Sequence, residues 1–325
     1  MASSVAEGGG TMTAAAEGGI GKTAPRRRSL TGLREQLTNF SFTVPALAVM
    51  AVFLFYPIVY VIWLSFQKWN LLGSPKWVGL DNYVNILSGP SQSDFFHSIF
   101  VSVVFVVLAM PAQIGLGLVL AVLLERGLRG RAFFRSAFFF PMVISFVAAG
   151  VTFTWLFDPQ YGYFTTILQN LPFGASLSLP DWKHDANWGI LMVVIMNTWK
   201  VAGFSMILYI AGLQGISADL YEAAEIDGAR TTWQRFRHIS WPLLFPTTIL
   251  LVITNTIGSF QAFVPFYVMT NGGPAGQTQP IVYFIYQTFL NRTGVACAAA
   301  TLFLVLVLII TAIQLRLTRS SENIY

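Results

Sequence analysis

Residues 98–124 read SIFVSVVFVVLAMPAQIGLGLVLAVLL, with no Asp, Glu, Lys or Arg. A membrane-crossing helix needs about 20 mostly apolar residues, and this run exceeds that length. Working outward, five more stretches meet the same requirement: 41–66, 132–157, 188–213, 243–264 and 294–313. None alternates with a period of two, so a β-barrel is excluded and an all-α integral membrane protein with six transmembrane helices is expected. Pro57, Pro111 and Pro141 fall inside spans. There they mark kinks, because neighbouring helices must re-satisfy the carbonyls a proline frees.

Composition agrees. Of 325 residues, 55% are hydrophobic and 10% charged, whereas a soluble domain carries about 25% charged residues. Cys297 is the single cysteine, so neither an intrachain disulfide nor a thiolate cluster is possible. His97, His184 and His238 are far apart and suggest no metal site. Lys and Arg set the orientation. Lys22, Arg26, Arg27, Arg28 and Arg34 precede the first span, Arg126, Arg129, Arg131 and Arg135 follow the second, Arg230, Arg235 and Arg237 follow the fourth, and Arg316 and Arg319 follow the sixth. The opposite side holds only Lys68, Lys76, Lys183 and Arg292. Both termini are therefore expected in the cytoplasm of a prokaryotic cell. The net charge of +5 reflects this topology rather than nucleic-acid binding.

Residues 1–40 read as a disordered cytoplasmic tail, 41–320 as the membrane domain and 321–325 as a C-terminal tail. Within the first of these, Gly18-Gly19-Ile20-Gly21-Lys22-Thr23 imitates the end of a phosphate-binding loop. The full pattern needs glycine where Ala16 stands and a preceding strand that is absent. Any ATP and Mg used by the system are then bound by a partner, and no cofactor is expected in this chain. The outer segments 67–97, 158–187 and 265–293 are long enough for short interfacial helices but not for a further domain. None of the 14 acidic residues lies inside a predicted span. Proton carriers relay through intramembrane Asp, Glu or His, and sodium coupling through carbonyls also becomes less attractive. Paired carboxylates and nucleophile–base pairs are missing as well, so no enzyme is indicated. The chain reads as a passive pathway driven from elsewhere.

The segment 217–246 holds the most specific signal. It includes Leu220-Tyr221-Glu222-Ala223-Ala224-Glu225-Ile226-Asp227-Gly228-Ala229-Arg230, then Phe236, Ile239, Pro242 and Pro246. Two short helical runs should meet at Gly228, which permits a sharp turn. Asp219 is expected to cap the first run, with Glu222 completing a capping box, and Pro242 to end the second. Small Ala223, Ala224 and Ala229 would let another protein's surface approach. An ordinary amphipathic loop fits the same residues. Glu222-Ala223-Ala224 followed by Asp227-Gly228-Ala229 resembles the EAA loop of binding-protein-dependent ABC importer permeases, most closely their maltose-type branch. The resemblance extends over roughly 41–320. It takes in Tyr56-Pro57, Val78-Gly79-Leu80-Asp81-Asn82-Tyr83, Phe140-Pro141, Leu156-Phe157-Asp158-Pro159, Asn197-Thr198-Trp199-Lys200 and Thr270-Asn271-Gly272-Gly273-Pro274.

That resemblance implies a type I ABC importer permease fold. It implies a second homologous permease subunit forming a heterodimer, two ABC ATPase subunits and an extracytoplasmic solute-binding protein. Glu222, Ala223, Ala224, Asp227, Gly228 and Ala229 would couple to the ATPase, Gly228 setting the bend. The implied cargo is a sugar or oligosaccharide, with glycerol-3-phosphate or a glycerophosphodiester as the alternative and a stand-alone secondary carrier as the reading from another class. Asn197, Lys200, Val201 and Phe204 recur at helical spacing on the fourth span, and Asn255 and Ser259 on the fifth, with Gln261 adjacent. By similarity Asn197, Val201, Phe204, Ser259 and Gln261 match sugar-lining positions. The same polar groups could instead join helices. Lys200 at mid-span costs about 2.5–3.5 kcal/mol on insertion and must meet a cavity, a partner or a carbonyl cluster. A structural or gating role is favoured over phosphate recognition.

Overall fold

The computed structural model describes residues 40–41, 43–125, 130–170 and 180–322. The expected tail up to residue 39, with its 18–23 stretch, lies outside them, as do Arg126, Arg129 and residues 323–325. The chain divides into two compact units, Met1–Tyr56 and Pro57–Tyr325. The described residues of the first are helical throughout, with a π-helical turn at Ala51–Phe55. They open helix α1, Thr43–Leu64.

In chain order there follow a hairpin of β1 (Gln67–Lys68) and β2 (Lys76–Trp77), then α2 (Asp81–Ser88), α3 (Gln92–Glu125), α4 (Arg131–Val143), α5 (Phe146–Leu156), α6 (Tyr163–Asn170) and α7 (Ala186–Gln214). The second half holds α8 (Ala218–Ile226), α9 (Thr232–Leu243), α10 (Phe245–Phe260), α11 (Val264–Met269), α12 (Ile281–Asn291) and α13 (Thr293–Glu322). The hairpin departs from the all-α expectation. It is antiparallel, with Gln67 opposite Trp77 and Lys68 opposite Lys76. The outer segments otherwise carry short helices, as expected.

Four helices, α1, α3, α7 and α13, are each long and apolar enough to cross alone. The other two predicted spans need correction. Span 132–157 is two helices, α4 and α5, bent by 100°. Pro141 lies in the last turn of α4, and Ile144 and Ser145 are extended. Ser145 Oγ then accepts from Ala148 N at 3.1 Å, capping α5 and completing the break. Span 243–264 starts instead at Phe245 and ends at Phe260, with α9 meeting α10 at 63°. Pro242 does not end the preceding run, which continues to Leu243. A π-helical turn, Phe236–Ser240, precedes the proline and widens the helix just where an N–H is missing.

The core is the seam between α3 and α7. Val101, Phe105 and Ala109 meet Val193 and Met196 in one cluster, and Ala121 and Leu124 meet Met206, Tyr209 and Leu213 in a second. Small residues set the approach. A Cβ on Gly117 would lie 2.5 Å from Ser205 Cβ, and one on Gly203 would lie 2.2 Å from the Phe138 carbonyl. Lipid tails are as apolar as these side chains, so close packing, not water exclusion, holds such helices together.

Candidate functional site

The loop between α7 and α10 is a helical hairpin. Ser217, not Asp219, caps α8, its Oγ accepting from Asp219 N at 3.2 Å. Asp219 and Glu222 therefore sit within the helix and form no capping box. The box appears one helix later, where Thr231 and Gln234 bond each other's backbone N–H reciprocally. Gly228 turns the chain with φ +96, and a Cβ there would meet nothing within 4 Å. The positive φ alone makes the glycine useful. The turn is held by backbone bonds from Asp227 N to Ala223 O at 3.0 Å and from Ala229 N to Ala224 O at 2.8 Å. Arg235 braces it, with Nη2 donating to Glu225 Oε1 at 2.5 Å and Nε to the Ala229 carbonyl at 3.3 Å. Tyr221 joins α8 to α9 through its hydroxyl, 2.9 Å from Ser240 Oγ.

This hairpin presents its motif outward. Glu222, Ala223, Asp227 and Gly228 are exposed, and Ala224 and Ala229 are half-buried. Ile226 is 88% exposed and Trp233 65%. Together with the exposed Leu220 they place apolar surface beside the motif residues on this hairpin.

The expected path residues fall into two groups. Asn197, Lys200, Asn255 and Ser259 are buried within the chain. Val201 and Phe204 are half-buried on α7, and Gln261 is exposed just beyond α10. Asn197 Oδ1 accepts from Gln113 Nε2 at 2.9 Å, across the α3–α7 seam. Asn255 Nδ2 donates to Ser205 Oγ at 3.2 Å, joining α10 to α7. Both polar pairs thus link helices in this chain. Gln113 and Ser205 are the partners the sequence reading missed. Gln113, a lone amide inside an apolar run, was the available signal.

Lys200 is buried against the break between α4 and α5. Its Nζ donates to the carbonyls of Pro141 at 3.2 Å, Met142 at 3.1 Å and Ile144. An ammonium has three N–H donors, and three carbonyls take them. The ring centroid of Phe146 lies 4.5 Å away and adds a cation–π contact. The Met142 and Ile144 carbonyls lie at the break between α4 and α5, whereas the Pro141 carbonyl also accepts from Ile144 N at 3.3 Å. Two stretches of the family resemblance, Phe140-Pro141 and Asn197-Thr198-Trp199-Lys200, therefore meet at one point.

On the face opposite the hairpin, Asp158 follows the end of α5. Its Oδ1 accepts from Gln160 N at 2.9 Å and Tyr161 N at 3.0 Å, and its Oδ2 binds Lys183 Nζ. The lysine bond, followed by the two backbone N–H groups, pulls the carboxyl down to about 2. Among the described residues, no group of His, Cys, Asp and Glu could hold a metal ion.

Residues 113–322 match the family model described as a binding-protein-dependent transport system inner membrane component. A trehalose/maltose transport system permease protein of Thermococcus litoralis is 33% identical over 288 residues, covering 88% of this chain and 95% of that one. An sn-glycerol-3-phosphate transport system permease protein of Agrobacterium fabrum is 33% identical over 285 residues, covering 86% and 94%. Among solved structures, a bacterial ABC transporter involved in the import of the acidic polysaccharide alginate has a chain that superposes with a TM-score of 0.76. It is 21% identical, covering 90% of this chain and 98% of that one. A bacterial alginate ABC transporter in complex with alginate pentasaccharide-bound periplasmic protein gives a TM-score of 0.77 at 20% identity, with the same coverage. At these identities the superpositions speak for the fold.

Proposed function

Because the chain belongs to the binding-protein-dependent transport system inner membrane components and is an ABC transporter permease, we propose that it is one permease subunit of an ATP-driven importer for a sugar or oligosaccharide of disaccharide size. Cargo moves into the cytoplasm by alternating access. Both termini and the α8–α9 hairpin lie on the cytoplasmic side, where positive charge concentrates. A second, homologous permease completes the path, two ATPase subunits bind ATP and Mg, and an extracytoplasmic solute-binding protein delivers the solute. The observation that carries this reading is the braced, outward-facing hairpin with Ile226 bare at its tip. Its surface, formed by Glu222, Ala223, Ala224, Asp227, Gly228 and Ala229, docks on the ATPase and transmits closure to α7 and α10. A rigid element moved at one end by nucleotide and at the other by solute is the physical content of such coupling.

A sugar is favoured over a phosphate ester because the ammonium of Lys200 is committed to three carbonyls. The half-buried Val201 and Phe204 and the exposed Gln261 then offer an aromatic face and an amide to a sugar ring. Glycerol-3-phosphate stays as the second reading because an equally similar relative is named for it. The test is gentle extraction of the tagged chain from its native membrane. An ABC-type ATPase and a second permease should co-purify, and the accompanying binding protein loaded with disaccharide should stimulate ATP hydrolysis. Uptake by the chain reconstituted with no ATPase would overturn the proposal, and stimulation by glycerol-3-phosphate alone would replace the cargo.

A further inference from the structure

On the face opposite the hairpin the chain carries Lys68, Lys76, Lys183 and Arg292. Lys183 is paired with Asp158. The other three line one cavity of about 600 Å³, and none of them makes an ion pair among the described residues. Asp81 is the one carboxylate among the lining residues, so the site keeps an excess of two positive charges. Lys68, Lys76 and Arg292 are exposed around the cavity, and with only Asp81 against them they give it a positive potential that favours an anion.

The walls are built rather than accidental. The hairpin and its loop form one side, α2 a second, and the α12–α13 junction a third. Asn82 Nδ2 donates to the carbonyls of Ser65 and Gln67, both at 2.8 Å. Gly294 N donates to Trp69 O at 3.2 Å. A Cβ on Gly294 would lie 1.9 Å from the Gln67 carbonyl, so only glycine lets α13 close on the hairpin. Trp69 Nε1 donates to Gly73 O at 3.0 Å and shapes the loop. Asn85, another lining residue, has a buried Oδ1 with no partner. Beside this polar interior stand bare apolar groups: Leu72 is 79% exposed and Trp77 65%. They follow the end of the apolar helix α1 in the chain, the position at which tryptophan anchors to headgroups.

A cationic, amide-lined hollow with an apolar rim at the membrane surface fits an amphiphile. We infer that it holds the phosphate of an anionic phospholipid, with a glycerol headgroup on the amides and acyl chains beside Leu72 and Trp77. A cluster of Lys and Arg beside polar amides at a membrane surface attracts the phosphate of an anionic lipid electrostatically. The inference rests on the membrane-spanning helices and is independent of the transported solute. The recognised chemistry, a glycerol phosphate ester, also exists in water-soluble form, and the test separates the two sources.

The full chain, with the subunits that accompany it, is placed in nanodiscs of phosphatidylcholine with or without phosphatidylglycerol. Retained lipid is counted by native mass spectrometry, and thermal stability is followed in parallel. Phosphatidylglycerol should be retained selectively and raise the melting temperature. Lys68→Gln, Lys76→Gln and Arg292→Gln should each lower that retention about five-fold, or ~1 kcal/mol per cation near a membrane surface. Lys183→Gln, outside the cavity, should leave it unchanged. Should one of these variants not accumulate, the other two carry the comparison. Equal retention of both lipids by the parent protein, or full selectivity in the three variants, overturns the site. Equal stabilisation by soluble glycerol phosphate in phosphatidylcholine discs, lost in the Lys68→Gln, Lys76→Gln and Arg292→Gln variants, overturns the lipid as its source, whereas stabilisation that those variants keep reports the transport path.

Discussion

At the residue scale, Lys200 shows how one side chain can be costly to insert and yet hold the fold together. Inserting it costs about 2.5–3.5 kcal/mol. Once folded, its Nζ serves the Met142 and Ile144 carbonyls at the break between α4 and α5, and shares the Pro141 carbonyl with Ile144 N. A buried acceptor without a partner costs about 1–3 kcal/mol. Lys200→Met should therefore act with opposite signs at two stages. Membrane insertion of the fourth span should improve in a glycosylation-mapping assay. The folded protein in detergent should lose about 1–3 kcal/mol of stability, since the Met142 and Ile144 carbonyls lose their donor. A variant both better inserted and more stable would remove the clamp from the account. From the sequence, a carbonyl cluster was one of the destinations legible for Lys200, but not which cluster. The acceptor at Ile144 lies 56 residues away along the chain, and no local pattern reports a contact so distant.

At the element scale, the α8–α9 hairpin owes its shape to backbone more than to charge. The Glu225–Arg235 pair is short, at 2.5 Å, but the glutamate side chain is 54% exposed. Exposed pairs contribute about 0.2–1 kcal/mol. Arg235→Gln should accordingly leave uptake within a few-fold of the parent value. Gly228 is different, because φ +96 excludes ordinary side chains even though space around it is open. Holding another residue there costs of order 1–3 kcal/mol. That is enough to distort the turn and less than the 5–15 kcal/mol that keeps a domain folded. Gly228→Asp should abolish uptake while the protein stays in the membrane at parental abundance, as an immunoblot of membrane fractions would show. Parental uptake by this variant would sink the coupling role. The bend at Gly228 was legible because glycine between two helical runs has few other uses. The cap was misplaced because Ser217 and Asp219 are both good caps, and only the register of α8 chooses between them. Pro242 was read as a terminator because a π-helical turn, invisible in residue type, absorbs it.

At the scale of the whole molecule, the six apolar stretches could be read from length alone, and the fold makes four of them single long helices and two of them bent pairs. The two sharp bends could not, because each half-helix continues the apolar run of the other. What the fold adds is an asymmetry between its faces. The hairpin face offers exposed motif residues to a partner. The opposite face is fastened, by the Asn82 and Gly294 contacts at one place and by Asp158 at another. There Lys183 grips Asp158, and Trp182 Nε1 donates to the Phe157 carbonyl at 2.6 Å, tying the end of α5 to the segment that leads into α7. The fastening has a definite pH dependence. Asp158 is drawn down to about 2 by Lys183 and by the N–H groups of Tyr161 and Gln160. Neighbouring Asp181 is lowered by His184. A depressed folded value means that the stabilisation is complete above the unfolded carboxylate range, near 3.9, and is lost as pH falls through the folded value. Both side chains of the pair are partly exposed, so the contribution is of order 1 kcal/mol or less. Asp158→Asn should then melt about 2 °C below the parent protein at pH 7. The gap should be the same at pH 5 and should narrow by pH 3, where the unfolded parent chain begins to hold a proton that the folded carboxylate refuses. A gap that already closes between pH 7 and 5 would take the stabilisation away from the Asp158 carboxylate.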